Sequence, residues 1–144
     1  MIESRLRPNP VGRIAAEPSV VALAVADAVV VTAFLAFGLF THGIEPWAYP
    51  AHTLRTATPF VLAWATVAPP LGAYRRRALE SFGRTVAVVG VAWLAATVLG
   101  GAIRASSFFP GGAPPSFLLV NAAVGLAFVL PWRLAVTGGR RVWR

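Results

Sequence analysis

Four long apolar runs, separated by short polar stretches, constrain this 144-residue chain more than any other feature of its sequence. Each run approaches the ~20 residues that an α-helix needs to cross a hydrocarbon core roughly 30 Å thick. The sequence therefore predicts an all-α integral membrane protein with four transmembrane helices packed as a compact bundle. The predicted helices cover about residues 19–40, 55–74, 85–103 and 117–137.

Composition agrees with a membrane protein and excludes several other classes. Only 12% of the residues are charged and 57% are hydrophobic, whereas soluble domains carry about a quarter charged residues. The net charge of +8 does not predict a nucleic-acid partner, because the arginines lie at the ends of apolar runs and form no continuous stripe. Cysteine is absent, which excludes disulfides and thiolate metal sites. The expected partner is the lipid bilayer, and no cofactor is expected.

The arginines also predict how the chain is oriented. We divide it into a polar amino-terminal segment (1–17), a four-helix transmembrane domain (18–137) and a basic tail (138–144). The two ends of the chain, the middle loop and the inner end of the last helix carry eleven arginines, and the other two loops carry two. The positive-inside rule then places both termini and the middle loop in the cytoplasm, in a multi-pass protein of the cell (plasma) membrane.

Prolines interrupt the second apolar run. Pro59 lies inside it, and the pair Pro69-Pro70 lies towards its inner end. Proline is tolerated in a membrane helix when neighbouring groups satisfy the freed carbonyls, and a pair is expected to kink or end the helix.

The third run places small residues at helical spacing, which predicts close packing within the bundle, with a homodimer surface as the alternative. The face consists of Gly83, Ala87, Gly90, Thr97, Gly101 and Arg104.

Asp27, about eight residues into the first predicted helix, is the main candidate site residue. An unpaired carboxylate at this depth costs about 2.5–3.5 kcal/mol on insertion scales, so we expect it to face the bundle and find a partner. Helical side chains lean towards the amino terminus of their helix. Asp27 in the first helix and Arg133 in the fourth therefore lean towards the same depth from opposite sides. A structural ion pair is the favoured interpretation, and a protonatable or ion-binding site is the alternative.

Three polar residues on the outer side are weaker candidates. Asn121 is predicted to hydrogen-bond Arg104, and His42 is expected to titrate at the interface or to hydrogen-bond its loop. His42, Glu45 and His52 match no recognised metal-site spacing, so no metal is predicted. No catalytic constellation is present either, and we expect no enzyme activity.

Several short features, in order along residues 22–136, resemble those of a known family. They are Ala26-Asp27, His42, residues 56–60 with Trp64, Arg104, Ser116-Phe117 and Trp132-Arg133. The chain resembles a prokaryotic family of small four-helix membrane proteins classed as a domain of unknown function. The resemblance implies the same architecture and assigns no activity.

Two functional hypotheses follow. The first is an uncharacterised small polytopic protein that is structural or binds a partner within the bilayer, either a membrane protein or a second copy of itself. The second is a small homo-oligomeric transporter or channel that uses Asp27 as a protonatable site. Short loops and scarce buried polar groups favour the first. Asp27 and the proline-interrupted helix favour the second.

Overall fold

The computed structural model describes residues 18–109 and 111–142, which form four α-helices and, in those ranges, no strand. The helices are α1 (Pro18–Thr41), α2 (Pro50–Val67), α3 (Phe82–Arg104) and α4 (Pro115–Val142), with a short 3-10 helix (Arg76–Leu79) between α2 and α3. The predicted all-α fold is confirmed. The predicted polar segment 1–17 and the last two residues of the predicted tail lie outside the described residues.

The largest boundary error concerns α2. It begins at Pro50, five residues before the predicted start at 55, because proline is well suited to the first turn of a helix. It ends at Val67, with Ala68 as its carboxyl-terminal cap, instead of at 74. Pro69 and Pro70 follow at once and lack the N–H groups that would extend the helix. The proline pair therefore ends α2, whereas Pro59 lies inside a continuous helix.

The fourth helix is longer than predicted. It continues to Val142, so residues 138–142 of the predicted basic tail are helical. Pro131 lies inside α4 without ending it.

Three of the four helices are long and apolar enough to cross a membrane. These segments are Ser19–Thr41, Phe82–Arg104 and Pro115–Arg140. The remaining helix, α2, has 18 residues and includes histidine, arginine and four threonines. The number of spans supported by length and composition alone is therefore three.

Each helix packs against the next, and α4 returns to pack against α1. The α2–α3 and α3–α4 contacts are the most extensive, and the α1–α4 contact is the smallest of the four. Because Asp27 in α1 contacts Arg133 in α4, and Thr85 in α3 contacts Thr137 in α4, the start of α1 and α3 and the end of α4 lie together. We call this the Asp27 end of the bundle and the opposite one the His42 end.

Aromatic rings fill the middle of the core. Trp93 is fully buried, with Phe34 edge-on at 5.9 Å and Trp64 at 6.3 Å between ring centroids. Glycines make room for these rings: Gly125 of α4 lies against Trp93, and Gly100 of α3 lies against Phe60. The core is thus built from large rings on one helix that fit against glycine on another.

The predicted small-residue face of α3 packs inside the bundle over only part of its length. Thr97 and Gly101 are buried, and Gly101 lies against Leu118. Gly83 and Ala87, near the Asp27 end, are exposed. The interpretation is therefore wrong for that half, because the buried residues there are Thr85, Val89, Ala92 and Ala96, on another side of the helix.

Candidate functional site

Asp27 lies inside the bundle, about two turns into α1, and only 2% of its surface is exposed. The other residues within one turn of it on α1 are apolar. A buried carboxylate is tolerated only when it is paired and its remaining lone pairs accept hydrogen bonds. The surroundings of Asp27 meet both conditions.

Arg133 supplies the opposite charge. Its Nε donates to Asp27 Oδ1 at 2.9 Å and its Nη2 donates to Oδ2 at 2.7 Å, so the guanidinium makes a bidentate contact with the carboxylate. The third nitrogen, Nη1, donates to the carbonyl oxygen of Ala73 at 2.9 Å. Arg133 is fully buried. A bidentate hydrogen-bonded contact between two charged groups is among the strongest hydrogen-bonding arrangements in proteins.

Three aromatic side chains complete the surroundings of the carboxylate. Trp132 Nε1 donates to Oδ1 at 2.9 Å, and the Tyr74 hydroxyl donates to Oδ2 at 2.6 Å. Trp64 Nε1 lies between two acceptors, Tyr74 Oη at 2.9 Å and Asp27 Oδ2 at 3.3 Å. The Arg133 guanidinium also lies over the Tyr74 ring, 4.9 Å from its centroid. We call these five side chains the Asp27 cluster.

The proline pair explains how Tyr74 reaches the cluster. After α2 ends, the chain turns back at Gly72, whose φ of 89° is rarely adopted by residues with a side chain. The Ala73 amide then donates to the Ala68 carbonyl, which closes the turn. This places the Ala73 carbonyl and the Tyr74 hydroxyl beneath the core, where Arg133 and Asp27 use them. Pro69 and Pro70 therefore position the site without touching the carboxylate.

The structure brings Asp27 and Arg133 together, and sequence reasoning missed the other three members. Trp64 and Trp132 are among the features that carry the family resemblance, but the sequence does not indicate either of them, or Tyr74, as a hydrogen-bond donor to Asp27. The available signal was their chemistry: buried tryptophan and tyrosine need acceptors for their N–H and O–H groups. Asp27 is the one carboxylate in the apolar runs.

The carboxylate of the Asp27 cluster has no free hydrogen-bond acceptor site. Five donated hydrogen bonds converge on its two oxygens, which offer about four lone-pair sites. Such a carboxylate has no lone pair left for a further hydrogen-bond donor. The Asp27 cluster joins four parts of the chain at one point: α1, α2, α4 and the segment that follows α2.

A second polar contact joins α3 to α4 at the same end. The hydroxyls of Thr85 and Thr137 lie 2.7 Å apart, and both residues are fully buried. Thr85 also donates towards the Ala78 carbonyl at 2.6 Å. Every helix of the bundle is therefore tied to another by a side-chain hydrogen bond near the Asp27 end.

At the His42 end, the predicted Asn121–Arg104 hydrogen bond is wrong. Asn121 Nδ2 donates to Thr97 Oγ1 at 3.3 Å. Arg104 Nε donates to the Gly112 carbonyl at 3.1 Å, and its guanidinium lies 4.8 Å from the Phe117 centroid. The reason is depth: Thr97 lies seven residues before Arg104 on α3, about two turns deeper.

His42 is exposed at the end of α1, and its backbone N–H closes that helix on Gly38 and Leu39. Together with Arg104 and Asn121 it lines a cavity of about 660 Å³. Across residues 18–109 and 111–142, no three histidine, aspartate or glutamate side chains are grouped as metal ligands would be.

Comparison with known proteins identifies a family and gives no activity. The family model described as "Protein of unknown function (DUF3054)" matches residues 24–136. That range contains the whole Asp27 cluster. No curated protein and no solved structure matches the chain.

Proposed function

We propose that this chain, which belongs to the DUF3054 family of proteins of unknown function, is a structural or partner-binding protein of the lipid bilayer and not an enzyme. The observation that carries the proposal is the saturated Asp27 carboxylate. Its charge is neutralised by Arg133, and its oxygens accept all the hydrogen bonds that they can hold. The intramembrane charges are thus used to hold the bundle together.

In this proposal α2 is the fourth transmembrane helix. It packs between α1 and α3, with Trp64 near its carboxyl end at the Asp27 cluster and His52 near its amino end in the wall of the cavity at the His42 end. Three of its threonine hydroxyls are satisfied within the helix: those of Thr56, Thr58 and Thr66 donate to carbonyls four residues earlier, at 2.9, 2.6 and 2.8 Å. Such back-bonding lowers the cost of placing threonine in lipid.

The proposed orientation places the Asp27 end, and with it both termini, in the cytoplasm of a plasma-membrane protein. Arg76, Arg77, Arg84 and Arg140 lie at that end, and Arg55 and Arg104 lie at the other. Cytoplasmic loops are enriched in such residues. In the outer loop, the exposed Trp47 and Tyr49 suit the headgroup level.

Single cysteines test this topology without background, because the chain contains none. We expect Ala48→Cys and Ser107→Cys, both at exposed positions of the His42 end, to react with a membrane-impermeant maleimide on intact cells. Glu80→Cys, exposed at the Asp27 end, should react only after permeabilisation. Ala48 and Glu80 flank α2, so labelling of both from outside would contradict its crossing of the membrane.

The transport alternative finds support in one observation. Tyr74, which donates to Asp27, also lines a cavity of about 160 Å³ with Arg76 and Arg140 at the Asp27 end. Between Asp27 and the His42-end cavity, however, the core is filled by Val31, Phe34, Trp64 and Trp93. A proton path through one copy would need these packed side chains to part.

Proton flux into liposomes that contain the protein separates the two proposals. Under an imposed pH gradient, we expect the wild type to acidify an internal dye no faster than protein-free liposomes do. Tyr74→Phe, which removes the hydroxyl between the small cavity and Asp27, should change nothing. A wild-type flux that Tyr74→Phe and Asp27→Asn both abolish would overturn the structural proposal. Native mass spectrometry of the same samples would report a second copy or a bound membrane protein.

A further inference from the structure

The cavity at the His42 end has a volume of about 660 Å³. It lies between α1 and α4, the neighbouring helices that contact each other least, with α2 behind it. Apolar side chains form most of its wall, among them Phe34, Phe37, Phe117 and Val124. Its size is that of a small-molecule site, which suits one hydrocarbon chain.

Asn121 brings an unsatisfied polar atom to this cavity. Only 2% of the residue is exposed, its amide nitrogen donates to Thr97, and its Oδ1 has no hydrogen-bond partner. Buried polar atoms are nearly always paired. If the amide is turned over, the nitrogen faces the cavity instead. A hydroxyl group can donate or accept, so a ligand hydroxyl satisfies Asn121 in either orientation.

Arg104 brings a positive charge to the same cavity. Its Nε is engaged with Gly112, but its two terminal nitrogens have no hydrogen bond to any residue in 18–109 or 111–142. Its planar face rests on Phe117, which fixes its position. His42 and His52 also line the cavity. An anionic group is the natural partner for this edge of the guanidinium.

We propose that this cavity binds a single-chain anionic lipid with a free hydroxyl, a monoacyl glycerophospholipid. Its phosphate would bind Arg104, and its glycerol hydroxyl would hydrogen-bond Asn121. Its acyl chain would pack against the apolar wall between α1 and α4. The spacing suits this class: Asn121 lies four residues beyond Phe117 on α4, about 6 Å along the helix. In such a lipid the hydroxyl follows the phosphate within a few bonds. The site is separate from the Asp27 cluster and does not depend on its role.

Binding is measured by native mass spectrometry and by the shift in melting temperature, with the full chain in a mild detergent. The probe is palmitoyl-lysophosphatidylglycerol. Palmitate lacks the glycerol hydroxyl, monopalmitoylglycerol lacks the charge, and dipalmitoyl-phosphatidylglycerol has a second chain. We expect one equivalent of the probe to bind and the other three lipids to bind at least tenfold more weakly. Monopalmitoylglycerol loses the charge-assisted hydrogen bond to Arg104, palmitate leaves Asn121 unsatisfied, and dipalmitoyl-phosphatidylglycerol carries a second chain for which the site has no place.

Gly38→Leu is the most informative variant. Gly38 lines the cavity and has nothing within 4 Å of where a Cβ would lie, so leucine fills the cavity without a clash at its Cβ. Binding should be lost while the unliganded protein keeps its melting temperature. Gly90→Leu is the matched control, because Gly90 has the same open space on α3 away from this cavity. It should bind the probe normally.

Two further variants test the recognition of each group. Arg104→Gln should weaken binding of the probe about tenfold. Arg55→Gln should leave binding unchanged, because Arg55 is an exposed arginine at the same end that does not line the cavity. Asn121→Leu should abolish the preference for the probe over palmitate. Normal binding to Gly38→Leu, or equal binding of all four lipids to the wild type, would overturn the proposal.

Discussion

Replacing either member of the buried ion pair should destabilise the protein more than any other single change at the Asp27 end. We expect Asp27→Asn and Arg133→Leu each to lower the free energy of unfolding by about 3–5 kcal/mol, because each leaves a buried charge without its counterpart. Asp27→Asn should be the more severe. Without Arg133 the carboxylate still accepts from Trp132 and Tyr74, whereas within residues 18–109 and 111–142 Arg133 has an ion pair with Asp27 alone.

The double variant decides how these losses are interpreted. With both charges removed, we expect most of the loss to be recovered, so the two changes should be strongly non-additive. The exposed pair Glu80–Arg84 is the matched control, since it lies at the same end of the bundle but in solvent. Glu80→Gln and Arg84→Leu should each cost less than about 1 kcal/mol.

Unfolding in mixed detergent, followed by circular dichroism, measures all of these variants. If Asp27→Asn and Arg133→Leu prove simply additive, the contact contributes nothing as a pair. The Asp27 cluster would then not stabilise the helix bundle in the way that the proposed function requires.

Gly125→Ala should be the second most damaging change. An added Cβ would lie within 2.6 Å of three atoms of the Trp93 indole. Trp93 cannot easily retreat, because it is fully buried, it packs between Phe34 and Trp64, and its Nε1 donates to the Ala122 carbonyl at 3.2 Å. Forcing a methyl group into a packed core costs about 1–3 kcal/mol. That loss outweighs the ~0.5–1 kcal/mol that alanine gains over glycine in a helix.

Gly90→Ala provides the comparison, because it makes the same chemical change where no atom lies within 4 Å of the new methyl group. It should raise the melting temperature slightly. A second-site change tests the cause: Gly125→Ala combined with Trp93→Phe should regain part of the stability that Gly125→Ala alone loses. A neutral Gly125→Ala, or a double variant worse than the sum of its parts, would contradict the close fit.

The parts of the fold that could be predicted depend on distance along the helix axis. The lengths of the apolar runs predicted most of the ends of α1, α3 and α4 to within a few residues. The lean of side chains predicted that Asp27 and Arg133 share a depth, and the structure places them in contact. Both inferences use only rise per residue and side-chain direction.

What could not be predicted depends on how neighbouring helices pack against each other and on the path of irregular chain. Asn121 donates to Thr97 and not to Arg104, because the packing of α4 against α3 sets Asn121 beside a residue about two turns deeper than Arg104. Tyr74 reaches Asp27 through the turn at Gly72, which no periodicity reveals. The half-exposed glycine face of α3 has the same cause, since spacing indicates which residues share a face and not what that face meets.

The sequence separation of the ion pair has a consequence for biogenesis. Asp27 lies in α1 and its counterion Arg133 lies 106 residues later in α4, so α1 is synthesised well before the residue that neutralises its carboxylate. Throughout synthesis of α2 and α3, the nascent protein therefore holds an uncompensated acid in or near the bilayer. Neutrality inside the bundle arises only when α4 joins it, so the same contact that ties the helices also distinguishes a bundle that contains α4 from one that still lacks it.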